Sequence, residues 1–292
     1  MKKTLLLACL TTALITILSN NLLACDIHGR TGFLLTNKLS IPVDQKSTGG
    51  LSEVQFNQVM DKMVSLYSGM VATSGAKFVL ERRWTDPTVN AVADQDTPGV
   101  FTITMYGGLA RHPEVTPDAM ALVACHELGH HLGGAPKKAA TGKWASNEGQ
   151  ADYWGTMKCL RHYFDGDNQE AALKNLYVPT IVSTKCNLQY SNSEEQLVCQ
   201  RMAMAGASIG KLFNAISKDS VISSFTTPDN TVVSRTFNDH PKTQCRLDTF
   251  LQASLCDHTI AEAVSETDVN IGVCSLKNGD KIGNRPTCWF KQ

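Results

Sequence analysis

The 292-residue chain is 42% hydrophobic and 18% charged, proportions that suit a globular protein with a core of its own. Lysine plus arginine and aspartate plus glutamate each number 27. With no basic stripe to meet phosphates, nucleic acid is excluded as a partner.

Residues 1–24 read as a secretory signal. Lys2 and Lys3 open it, an uncharged apolar stretch runs from Leu5 to Leu18, and Ala24 offers a small residue for cleavage. That stretch is too short to span a bilayer, and no later one approaches the roughly 20 apolar residues a span needs. The mature protein is therefore expected to be exported to a bacterial periplasm. "LLAC", residues 22–25, also resembles a lipobox that would lipidate Cys25 and anchor the chain to a membrane, whereas Ser19, Asn20 and Asn21 just before it favour ordinary cleavage. Loss of Cys9 with the signal leaves nine of ten cysteines. Lipidation of Cys25 would make the remainder even, as would a free Cys125.

Residues 25–50, rich in turn formers, predict an extended arm or leader. Ser52 with Gln55 forms a capping-box pattern, and Val54, Met60, Met63, Tyr67 and Met70 recur at helical spacing up to about Ala72. Residues 77–84, 88–94 and 100–106 are short β-prone runs, the last alternating Phe101, Ile103 and Met105 against Thr102, Thr104 and Tyr106. Thr116-Pro117-Asp118 starts a helix that Gly133, Gly134 and Pro136 stop. Further helices are predicted over about 147–164, 193–217 and 241–254. The expected division is one folded domain over residues 51–255 and a cysteine-containing C-terminal segment over 256–292.

The chemistry sits in "ACHELGHHLGG", residues 124–134. Helical residues four apart share a face about 6 Å apart, so His126 and His130 can hold one ion while Glu127, about 100° round, serves better as a base than as a ligand. No charge occurs from Ala119 to Cys125, so the helix is expected to be buried, where bare polar groups are costly. Seventeen residues separate His130 from Glu148, and Asp152 follows four later. Glu148 as third zinc ligand and Asp152 as a carboxylate holding an imidazole N–H would use both acids. The plainer reading of those two is a solvated acidic first turn. Cys125, next to His126 but pointing elsewhere, reads as a buried free thiol. Cys186 and Cys199 flank a short loop and could form a local disulfide.

HExxH followed by a ligand glutamate and an aspartate resembles the gluzincin metallopeptidases. "VNAVAD", then "FTITMYGGLARHPEVTPDAMALVACHELGHH", then "DHPKTQCR" resemble the HtpX and CAAX prenyl protease family over about residues 88–250, in its soluble periplasmic form. The 17-residue gap, shorter than that family's, is closer to thermolysin and aminopeptidase N. The resemblance implies an α+β gluzincin-like fold, with a small antiparallel or mixed sheet whose edge strand lies over the zinc helix, and one Zn2+ per chain. It implies hydrolysis of protein or peptide substrates with Glu127 as general base, His240 as oxyanion donor and Arg246 organising the site. Asn90, Ala91, Thr102, Thr104, Gly107 and Gly108 would bind an extended peptide, main chain to main chain, along the 100–106 strand. The alternatives are a thermolysin- or aminopeptidase-type hydrolase, and a non-catalytic envelope binding protein or chaperone that keeps zinc structurally.

Overall fold

The computed structural model describes residues 31–45, 49–139, 143–217 and 222–292. The expected signal and lipobox lie outside them. The fold is α+β, a small mixed sheet set against a larger helical body.

Helix α1, Glu53–Thr73, opens with the capping box the sequence predicts: the Ser52 hydroxyl accepts from the Gln55 N–H, and the Gln55 side chain accepts from the Ser52 N–H. Its buried stripe is Phe56, Val59, Met60, Met63, Tyr67 and Val71. Val54, expected on that face, is 66% exposed because it lies in the first turn, outside the face that meets the core. Strands β1 (Thr31–Gly32), β2 (Lys77–Arg83), β3 (Ala91–Asp94) and β4 (Val100–Tyr106) form one sheet in the order β1-β3-β4-β2. β4 runs parallel to β2 and antiparallel to β3, and β1 pairs antiparallel with β3 through Gly32↔Val92. β4 is thus an interior strand, a correction to its expected place at the edge.

After the short α2 (Gly107–Ala110), α3 spans Pro117–Leu132, with the Thr116 hydroxyl accepting from the Ala119 N–H at its start. Every residue from Ala119 to His131 is buried. A helix apolar all round can sit only inside, and α3 packs against α1, β3, β4 and the helices described next. The helix predicted over 147–164 is α4 (Glu148–Trp154), a π turn (Gly155–Leu160) and α5 (Arg161–Phe164) in succession. Two glycines bring α4 and the π turn against α3. A Cβ on Gly129 would lie 2.9 Å from the Ala151 carbonyl oxygen, and one on Gly155 3.0 Å from the Cys125 backbone. A disulfide, Cys125–Cys159, ties the same crossing. Cys125 is therefore not the free thiol expected: it does point away from the metal face, but toward a partner 34 residues on.

Helices α6 (Gln169–Leu173) and α7 (Thr180–Gln189) occupy a stretch the sequence left unassigned, and α8 (Ser193–Ile216) and α9 (Thr243–Leu255) complete the body. Cys186–Cys199 joins α7 to α8 as anticipated. Cys245–Cys288 and Cys256–Cys274 bind the C-terminal segment back onto α9. There the buried Trp289 fills the space above Gly149, where a Cβ would meet its ring at 2.3 Å, and donates to the Thr249 hydroxyl. All eight cysteines of the described residues are paired, as in proteins of oxidising, exported compartments. Among the described residues no helix is long and apolar enough to cross a membrane.

Candidate metal centre

The α3–α4 crossing aims His126, His130 and Glu148 at one point. The two histidine Nε2 atoms are 3.1 Å apart, and Glu148 Oε2 lies 3.3 Å from that of His126 and 3.8 Å from that of His130. All three side chains are fully buried. His126 Nδ1 is 2.7 Å from Asp152 Oδ1 and His130 Nδ1 is 2.8 Å from the Ser146 carbonyl oxygen. Both partners only accept, so each ring carries a proton on Nδ1 and, when neutral, turns an Nε2 lone pair inward. Three acceptors so close repel one another unless a cation lies among them. Donors bound tetrahedrally at about 2.0–2.1 Å stand about 3.3 Å apart, so the donor set fits zinc.

The electrostatics agree. Burial works against charge on His126, yet Asp152, Glu148 and Glu127 outweigh it and raise its pKa, the same negative field that a divalent cation would meet. Burial, joined by the charges of His126 and Lys138, drives the pKa of His130 well down, leaving a neutral ligand. Burial alone would protonate Glu148, but His240, His130, His126 and Lys138 hold its pKa well below the usual carboxylate range. Lys138 Nζ donates to Glu148 Oε1 at 3.1 Å. Asp152 stays ionised against its burial through Arg246, whose Nε and Nη2 reach its two oxygens at 2.7 and 2.8 Å.

Glu127 differs from its neighbours. It is fully buried, neither carboxylate oxygen has a hydrogen-bond partner, and burial pushes its pKa up to about 8. A bare buried carboxyl costs several kcal/mol in principle and is retained where it has a task.

His240 also reaches this point, with Nε2 3.3 Å from Glu148 Oε2 and 2.8 Å from the Gly32 carbonyl oxygen, and Nδ1 3.1 Å from Asp239. Both ring nitrogens face oxygen acceptors, so either can serve as the donor. Asn90 and Ala91 lie at the same cleft: the Asn90 side chain brackets the N–H and C=O of Leu34, and the Ala91 carbonyl accepts from the Phe33 N–H. A cavity of about 470 Å³, lined by Leu34–Asn37, Phe213, His240 and Arg246 among others, adjoins it.

The remaining sequence expectations are corrected. Thr102 and Thr104 sit on β4, paired on both sides, so their main chain has no open edge for a peptide. Gly107 and Gly108 press on the backbones of Trp84 and Pro87, where a Cβ would come within 2.0 Å, so the tight corner itself requires glycine at both positions. Lys138, Ser146 and the Gly32–Leu34 segment went unnoticed in the sequence; none carries a motif, and only the fold brings them in. Two other groupings of potential ligands, Cys256-Asp257-His258-Cys274 and Asp229-Cys245-Cys288, have their sulfurs consumed in disulfides.

The geometry brings together two histidines and one carboxylate, all buried, as a candidate cation site with the Glu127 carboxyl nearby. In comparisons with known proteins, no family model, curated protein or solved structure matches the chain.

Proposed function

We propose that this protein is a zinc-dependent endopeptidase of gluzincin type, similar to the HtpX and CAAX prenyl protease family, exported and acting on proteins or peptides. The observation that carries the reading is the three inward-facing acceptors of His126, His130 and Glu148 with Glu127 unbonded beside them. A purely structural zinc site is closed by four protein ligands and has no use for a base, which disfavours the non-catalytic alternative.

When bound, zinc supplies a water acidified toward a pKa of about 7 and a polarised substrate carbonyl. Glu127 takes the proton of the attacking water and passes it to the leaving amine. His240 donates from Nε2 to the carbonyl oxygen as it gains negative charge. Asp152 fixes the tautomer and tilt of His126, and Arg246 fixes Asp152.

Glu127→Gln is the test. It removes the base and leaves the ligands, so the variant is expected to bind zinc as the wild type does and to lose turnover of a quenched peptide by at least about 10², the low end for a general base. Retained turnover would place the base elsewhere.

A further inference from the structure

The chain's own Gly32–Leu34 segment lies in the cleft, and its main chain meets His240, Arg246, Asn90 and Ala91. His240 Nε2 donates to the Gly32 carbonyl oxygen at 2.8 Å. The next amide, Phe33 N–H, donates to the Ala91 carbonyl at 3.0 Å, and Arg246 Nη1 donates to the Phe33 carbonyl at 2.9 Å. Asn90 then takes both main-chain groups of Leu34, Oδ1 from its N–H at 2.9 Å and Nδ2 to its C=O at 3.1 Å. Upstream, Thr31 and Gly32 pair antiparallel with Ala93 and Val92. The Phe33 ring is fully buried, edge-on to His126 at 5.0 Å and beside Phe213 at 5.4 Å, with the Arg246 guanidinium 4.7 Å from its centre.

Packing holds the segment through the buried Phe33 and Leu34 side chains, but packing alone leaves main-chain groups unread. Here the main chain is read atom by atom from the Gly32 carbonyl to the Leu34 carbonyl. Only one carbonyl in it receives the His240 donor, and that residue is the one with no side chain: a Cβ on Gly32 would stand 3.3 Å from Asn90 Nδ2 and 3.5 Å from the Ala91 oxygen.

We propose that Gly32–Phe33 is a self-cleavage site, a peptide bond that the centre hydrolyses in its own chain. The inference rests on the peptidase reading above. Water adds across the bond: its oxygen goes to the Gly32 carbonyl carbon, the C–N bond breaks, Glu127 carries the proton to the Phe33 nitrogen, and no oxidant or other reactant is needed. The products are a Gly32 carboxylate and a new amino terminus at Phe33. Departure of the upstream piece removes β1 and opens the edge of β3 at Val92–Ala93, giving an external peptide the open strand that β4 cannot offer.

The full chain, wild type and Glu127→Gln, is exported, purified and read by intact mass and N-terminal sequencing, with a quenched external peptide assayed in the same samples. Wild type is expected to begin at Phe33, and Glu127→Gln to retain Gly32 and the residues before it. Zinc added to metal-free, uncut wild type is expected to start the cut with a first-order rate unchanged on dilution. A rate that falls with dilution overturns the intramolecular route. A wild type that cuts the external peptide but keeps the Gly32–Phe33 bond overturns self-cleavage and leaves the peptidase reading standing. Failure to cut either overturns both, and a Glu127→Gln chain that also begins at Phe33 overturns self-cleavage, because the cut is then another enzyme's. Independently of turnover, hydrogen exchange on metal-free Glu127→Gln is expected to show the Phe33 and Leu34 amides protected; exchange at the rate of an unstructured peptide overturns the docking itself.

Discussion

Each side chain at the centre is set by the partner behind it. His126 leans on Asp152, His130 on the Ser146 carbonyl, and His240 on Asp239, so three rings of one residue type have three settings: a pKa raised by surrounding carboxylates, a pKa driven down by burial, and a ring whose two nitrogens both face oxygens. For His240 this separates two roles. If it donates to the oxyanion, His240→Ala should lower kcat by about 10² to 10³ with KM and zinc content little changed. If it merely precedes the turn at Pro241, kcat should stay near wild type; steady-state kinetics with metal content measured in parallel decides. His126, Glu127, His130 and Glu148 were legible because two short spacings on predicted helices bring them together. Lys138 and Ser146 were not, since they come from the loop between α3 and α4, whose path no periodicity encodes.

The crossing of α3 and α4 is the element that makes the centre, and it depends on Gly129, Gly155 and the Cys125–Cys159 bridge. Closing a loop of 34 residues removes chain entropy from the unfolded state worth about 3–4 kcal/mol. The double change Cys125→Ala, Cys159→Ala should therefore lower unfolding free energy by roughly that amount in a urea titration, with loss of zinc retention at lower denaturant than in the wild type. An unchanged midpoint would mean that packing alone holds the crossing. At this scale the sequence told less. The 100–106 run showed its alternation correctly, but alternation reports which side chains face which side of a sheet and says nothing of which neighbours a strand has. The edge assignment failed for that reason, and β1, two residues long, is too short to leave any pattern. Cys125 was misjudged in the same way: a helical wheel gives a direction, not what lies there.

Taken whole, the molecule buries its ionisable groups around α3, and that has a cost in acid. His131 is stacked between Phe101 and Trp144 at 4.7 Å from each, and burial lowers its pKa to about 4. The unfolded chain takes up this proton near pH 6.5, the folded chain only near 4. Its contribution to stability is therefore full above about pH 6.5 and is lost as the pH falls toward 4, by about 1.4 kcal/mol per unit within the window. His131→Phe, which keeps the stack, should flatten the fall in urea midpoint between pH 7 and 5; an equal fall in both proteins would place the acid sensitivity elsewhere. Zinc X-ray absorption on the purified, metal-loaded chain, with the metal counted, tests the proposed cation centre most directly. One zinc per chain with two imidazole nitrogens, the balance oxygen and no sulfur is the predicted result. No stoichiometric zinc, or a shell containing sulfur, would contradict it.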